Sequence, residues 1–181
     1  MSLRSLGLAA AAAGVVGCAF AATPARRGDA TALAAEIAAL KAQVAALQAQ
    51  ARPELGQQML ELQIRHDRLW WAGEAGNWNL AYFMVGELGE ALRGIEQSNG
   101  DAAELQPQKL SEVMPSLMNP AVARVQDALA RQDEAAFARA YDELSAACTA
   151  CHELAGNPML VIQRPRTPML DNLRYAPPAK K

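Results

Sequence analysis

The chain has 181 residues, of which 51% are apolar and 20% charged, with a formal net charge of −2. This length suits one domain with accessory segments, and the balanced charge excludes the strongly basic surface that nucleic acid binding requires. Alanine is abundant, aromatic residues make up only 5%, and runs of Val, Ile and Thr are scarce. We therefore expect an all-α protein.

Residues 1–22 have the pattern of an export signal. Arg4 supplies a positive charge, Leu6 to Val16 form a short apolar run, and Ala19-Phe20-Ala21 offers a cleavage site. The four residues ending at Cys18 also resemble a bacterial lipobox, in which case Cys18 would carry lipid and tether the protein to a membrane. Both interpretations place the mature chain in the bacterial periplasm, either soluble or lipid-anchored.

The segment 30–51 carries a heptad pattern. Its apolar residues are spaced by four and three, and they are Leu33, Ile37, Leu40, Val44 and Leu47. β-Branched residues at a and Leu at d favour a parallel two-stranded coiled coil, with Glu36 and Lys41 at g and e for an interchain pair. Because only about three heptads are present, a single amphipathic helix packed on its own domain stays open. The first interpretation predicts a homodimer through residues 30–51, and the second predicts none.

Turn and capping residues divide residues 53–156 into helical segments. The first helix is expected from about Pro53 to Ala72, with its end at Gly73. Asn77 is the N-cap expected for a second helix, on which apolar residues again recur every three or four positions.

The second half of this region is predicted from prolines and caps. Pro115 limits Leu110 to Leu117 to a short helical piece, so the third long helix is expected to begin at Asn119 and Pro120. Asp133 is the expected cap of the fourth helix, which Gly156 closes. Short connections favour an antiparallel four-helix bundle. Residues 157–181 contain five prolines and no helical period, which predicts an extended tail.

Cys148-Thr149-Ala150-Cys151-His152 is the attachment pattern of c-type haem. Cysteines three apart share one side of a helix, where both thiols can add to the two haem vinyl groups while His152 binds the iron. A redox-active CxxC normally opens a helix, whereas this one ends a helix. A zinc site would need four ligands, and a chain without residues 1–22 has only two Cys and two His, of which His66 is far away in the sequence. A structural disulfide is the remaining alternative.

This pattern, near the end of the last of four helices, resembles cytochrome c′ and its low-spin relatives. The resemblance covers about residues 53–156, and the heptad segment and the long tail depart from it. It implies a four-helix bundle that holds one haem. It also implies that a residue of the first helix forms the distal face: a Met ligand in low-spin members and an apolar residue in five-coordinate ones.

Two residues of the first helix are candidates for the distal ligand. Counted from the bundle end at Ala72 and Asp133, His152 lies about 28 Å along its helix, Met59 about 20 Å and His66 about 9 Å. Met59 is the better match, and a thioether is a soft ligand that suits haem iron. Bis-His ligation through His66 is the alternative.

These residues predict an exported electron carrier with one covalent haem c, which exchanges electrons with redox partner proteins. We do not expect an enzyme, because the sequence has no Ser/His/Asp set and no phosphate-binding loop. The alternative is a five-coordinate gas-binding or sensing haem protein, in which Met59 does not bind the iron. A coiled-coil lipoprotein with a disulfide is the third interpretation.

Overall fold

The computed structural model describes residues 25–179, with side chains from residue 29 onward. The export signal and Cys18 lie outside these residues. Within them the chain is all-helical and has no strand, as expected from the composition. The five helices are α1 (Ala25–Gln50), α2 (Leu55–Glu74), α3 (Trp78–Asn99), α4 (Leu110–Arg131) and α5 (Glu134–Leu154), with a 3-10 turn over Ala103–Leu105.

Helix α1 belongs to a unit of its own, which ends at Gln50. Good helix formers fill it, since most of its residues are Ala, Leu or Gln. The five apolar side chains of the heptad pattern are between 43% and 62% exposed. By length and composition alone, Asp29–Gln50 is apolar enough to cross a membrane, a test that signal sequences and core helices of soluble proteins also pass.

Helices α2 to α5 form the second unit and surround one core. Helix α2 contacts α3, α3 contacts α4, α4 contacts α5, and α5 contacts α2, so the four helices form a closed ring. Each turns one stripe inward because its apolar residues recur every three or four positions. The largest fully buried side chains are Leu69, Val85, Ile95, Leu110, Val125, Phe137, Tyr141 and Leu144.

The predicted caps of α3 and α5 are confirmed. The side chain of Asn77 accepts a hydrogen bond from the Leu80 backbone N–H, and Asp133 accepts one from Ala136. Each bond satisfies a donor that the first helical turn leaves without an intrahelical partner.

The predicted end of α2 at Gly73 is wrong. Helix α2 continues to Glu74, and Gly73 is buried inside it. A Cβ at this position would lie 2.2 Å from carbons of the Phe137 ring. Gly73 is therefore explained by the close approach of α5, and the turn that follows uses Gly76 at a φ of 65°.

The prediction that the third long helix begins at Asn119 is also wrong, because α4 is continuous from Leu110 through both prolines. Pro120 is exposed and Pro115 half-buried, and the carbonyls that lose a partner belong to Ser111 and Ser116, which are both exposed residues. The inward stripe continues across both prolines through Leu110, Met114, Met118, Ala121 and Val125. Burial of this stripe outweighs a cost of about 3 kcal/mol for an interior proline.

The tail from residue 157 onward has no helix or strand within the described residues, yet it is tied to the bundle. The backbone N–H of Ile162 donates to Thr149 Oγ1 at 3.0 Å, and the N–H of Met169 donates to Asp67 Oδ2 at 3.2 Å. Arg164 Nε donates to an oxygen of Asp142 at 2.6 Å. The guanidinium of Arg164 also lies 4.7 Å from the centre of the Trp70 ring.

Candidate functional site

A cavity of about 610 Å³ lies among the helices α2 to α5 and the first residues of the tail. Its volume falls within the range of roughly 300 to 1,000 Å³ that small-molecule and cofactor sites occupy. Most of its wall is apolar, with contributions from Leu62, Leu88, Leu92, Leu105, Leu110 and Met118. The cavity is therefore suited to a large, mostly apolar group.

All five site residues predicted within the bundle line this one cavity. Helix α2 supplies Met59 and His66, and the C-terminal part of α5 supplies Cys148, Cys151 and His152. The two groups are far apart in sequence and meet because α2 packs against α5.

The thiols of Cys148 and Cys151 are both free. Burial is the main reason why the pKa of the Cys148 thiol is raised to about 12, and the charge of a neighbouring Cys151 thiolate adds to this effect. Burial also raises the pKa of the Cys151 thiol. A redox-active CxxC has the opposite property, a thiol pKa lowered by its surroundings. The sulfur of Cys148 lies 4.0 Å from the thioether of Met118.

The imidazole of His152 is oriented by the tail. Its Nδ1 lies 3.2 Å from the carbonyl oxygen of Leu160. A carbonyl only accepts, so this bond places the proton on Nδ1 and leaves the lone pair of Nε2 for another partner. Metal-binding histidines commonly have this arrangement, in which a bond at one ring nitrogen fixes the ligand nitrogen.

Met59 is half-buried and packs against the core from α2. Met118, on α4, is a second thioether in the cavity wall and is only 3% exposed. Sequence reasoning missed Met118 because it broke α4 at the prolines. The spacing of Leu110, Met114 and Met118 was the signal that could have found it.

His66 is buried, and both of its ring nitrogens have partners. Nδ1 lies 2.9 Å from Tyr141 Oη, and Nε2 lies 3.1 Å from Ser145 Oγ. The ring also stacks on Tyr141 with 4.4 Å between centroids. Burial lowers the pKa of His66 to about 4. His66 would have to give up one of these hydrogen bonds in order to bind a metal.

The hydroxyls around His66 satisfy a neutral ring in either tautomer. Tyr141 Oη can donate to Nδ1 or to the His66 carbonyl, which lies 3.0 Å away. Ser145 Oγ can donate to Nε2 or to the Tyr141 carbonyl, at 2.9 Å. When Tyr141 donates to Nδ1, the Nε2–H donates to Ser145, which in turn donates to the Tyr141 carbonyl. In the other tautomer Ser145 donates to Nε2, while the Nδ1–H donates to Tyr141, which donates to the His66 carbonyl. A neutral imidazole therefore fits in both tautomers without an unpaired nitrogen.

The residues present fit the haem that the CxxCH sequence implies. Two free thiols lie one helical turn apart on the wall of an apolar cavity of suitable size. The same cavity contains an imidazole whose Nε2 is available and a thioether from another helix. Among the described residues, no group of three or more His, Cys, Asp and Glu side chains is placed to hold a bare metal ion.

Comparisons of the chain with protein-family models, with curated proteins and with solved structures found no match. The residues of the cavity and their chemistry are therefore what indicates a function.

Proposed function

We propose that the chain is an exported c-type cytochrome that carries one covalent haem and transfers electrons. Its helices α2 to α5 would form the antiparallel bundle of a cytochrome c′-like protein. One observation carries the proposal: a single apolar cavity is lined by Cys148, Cys151, His152 and Met59.

Each of these residues has a defined task. The thiols of Cys148 and Cys151 would hold the haem through thioether bonds, and His152 Nε2 and the thioether of Met59 would bind its iron. Haem supplies a reversible one-electron iron couple, and ligation by His and Met raises its potential. The Leu160 carbonyl keeps the proton of His152 on Nδ1, which would fix the orientation of the ring and leave Nε2 to bind the iron. The apolar wall excludes water from the site.

The mouth of the cavity offers a surface for redox partner proteins. Four apolar residues of its lining are exposed to solvent: Leu60 by 44%, Met159 by 72%, Leu160 by 47% and Val161 by 65%. Clusters of exposed apolar side chains are typical of interaction sites. Brief apolar contact here would bring a partner close to the site without a large conformational change. We place this exchange in the periplasm, because bacteria attach c-type haem outside the cytoplasm.

The test is the optical spectrum of protein produced with the haem-attachment machinery, in oxidised and reduced form. The expected result is a low-spin spectrum with the weak far-red band of a sulfur-ligated ferric haem, and haem that stays attached after denaturation. The variant Met59→Leu keeps the side-chain volume and should lose that band.

Two variants serve as matched controls. Met118→Leu removes the other thioether of the cavity and should keep the far-red band, and His66→Ala should keep it too. If the band is lost in Met118→Leu and kept in Met59→Leu, the distal ligand is Met118 of α4 and not Met59. A high-spin spectrum that responds to carbon monoxide in the unmodified protein would favour gas binding. Absence of covalent haem would refute the proposal.

A further inference from the structure

The apolar stripe of α1 and the polar residues beside it form an unusual pattern. The stripe contains Leu33, Ile37, Leu40, Val44 and Leu47, and all five are exposed. The polar residues Glu36, Lys41, Gln43, Gln48 and Gln50 lie at e and g positions, directly beside the stripe. The remaining faces are almost entirely alanine.

This placement argues against a helix that packs singly. An amphipathic helix on the surface of a domain has its charges opposite the apolar stripe. In α1 the charges flank the stripe, as they do at the edges of a coiled-coil interface.

Glu36 and Lys41 are the only charged residues between positions 30 and 50. They are five residues apart, so they do not face each other on one helix, where partners are three or four apart. Neither takes part in an ion pair found among the described residues. In a parallel coiled coil, the g residue of one helix meets the e residue of the next heptad on the partner, five positions on. Glu36 and Lys41 have this spacing.

We propose that α1 forms a parallel, in-register coiled coil with α1 of a second copy of this chain. Ile37 and Val44 would occupy a positions and the leucines d positions, a combination that favours two strands. Two Glu36–Lys41 pairs would form across each dimer. In an in-register antiparallel pair Glu36 would lie near Gln43 instead, so the charges select the parallel arrangement. This proposal does not depend on the bound haem.

The same charges oppose a membrane-spanning role for Asp29–Gln50. Glu36 and Lys41 fall near the middle of that stretch, where a lysine costs roughly 2.5 to 3.5 kcal/mol in insertion experiments. A second copy of the helix gives both charges a partner, whereas a bilayer gives them none.

The test is sedimentation equilibrium of the chain from residue 23 onward, with or without haem, at concentrations up to millimolar. A concentration-dependent dimer is expected. Leu40→Glu, at a central d position, should abolish it, whereas Ala39→Glu, at an outer c position, should not. Each single reversal, Glu36→Lys or Lys41→Glu, turns two attractive pairs into repulsive ones and should weaken the dimer about tenfold.

Two combinations make the test specific to the pairing. The double variant Glu36→Lys/Lys41→Glu should restore the dimer, and a mixture of the two single variants should form heterodimers in preference to either homodimer. Four results would overturn the proposal: a monomer at every concentration, a dimer that survives Leu40→Glu, a dimer indifferent to the charge reversals, or association with lipid vesicles in place of dimerisation.

Discussion

The buried imidazole of His66 should make folding stability depend on pH in a defined window. Burial lowers its pKa to about 4, against an ordinary value of 6.5. At neutral pH both the folded and the unfolded chain hold the ring uncharged. As the pH falls below 6.5, the unfolded chain takes up a proton that the folded chain refuses until about pH 4. Stability is therefore full above 6.5 and is lost as the pH falls toward 4.

The size of the effect follows from the two pKa values. At about 1.4 kcal/mol for each pH unit, the whole difference corresponds to roughly 3 to 4 kcal/mol. Between about pH 7 and pH 4.5 the expected loss from His66 alone is roughly 2 kcal/mol. Asp67 acts in the opposite direction, because burial raises the pKa of its carboxyl, so the folded chain binds that proton first.

The assay is urea unfolding, followed by far-UV circular dichroism, at several pH values for the unmodified chain and for His66→Gln. Glutamine does not titrate, and the other groups, Asp67 among them, are common to both proteins. The difference between the two unfolding free energies should shrink by roughly 2 kcal/mol from about pH 7 to pH 4.5. Parallel pH profiles for the two proteins would refute the reasoning, since His66 would then titrate alike in both states.

Three further predictions concern packing, the buried hydrogen bonds and the tail. Gly73→Ala places a methyl group against the buried ring of Phe137, and urea unfolding should show that the free energy of unfolding falls by about 1 to 3 kcal/mol. The control Gly86→Ala lies in open space on an exposed helix face, and its free energy of unfolding should rise by up to about 1 kcal/mol. Tyr141→Phe removes a partner of the buried imidazole and should cost about 1 to 3 kcal/mol in the same assay, and an unchanged midpoint would contradict the network. Arg164→Gln removes the ion pair with Asp142 and the contact with the Trp70 ring, which together hold the tail with about 1 kcal/mol. Thermolysin should therefore cleave the tail about fivefold faster, whereas the control Arg166→Gln should leave the cleavage rate unchanged.

Local patterns were sufficient for much of the fold. The caps at Asn77 and Asp133 act within one helical turn, and the apolar stripes depend only on spacing, so both could be predicted from the sequence. Gly73 could not, because its reason is a ring 64 positions further along the chain. The expectation that a proline ends a helix was wrong for α4 because it considers only the lost backbone hydrogen bond. Burial of Met114 and Met118 favours the continuous helix more strongly.

The candidate site likewise contains residues that the sequence could predict and contacts that it could not. The CxxCH sequence is a local signal, and Met59 follows from helix geometry. The acceptor for His152 is a backbone carbonyl at Leu160, and a carbonyl has no residue type that a sequence pattern could reveal. The partners of His66 could have been found from the sequence, because Tyr141 and Ser145 are four positions apart and therefore lie on one side of α5, the side that contacts His66 of α2.

The two prolines of α4 have a consequence for amide hydrogen exchange. They remove the donors that would have bonded to the carbonyls of Ser111 and Ser116, so the first half of α4 is joined to the second by fewer backbone bonds. Segments with fewer such bonds open at lower free energy. We expect amides of residues 110–119 to exchange before those at the end of α5. Since Met118 lies in this segment, the α4 side of the cavity would be the first of its walls to open.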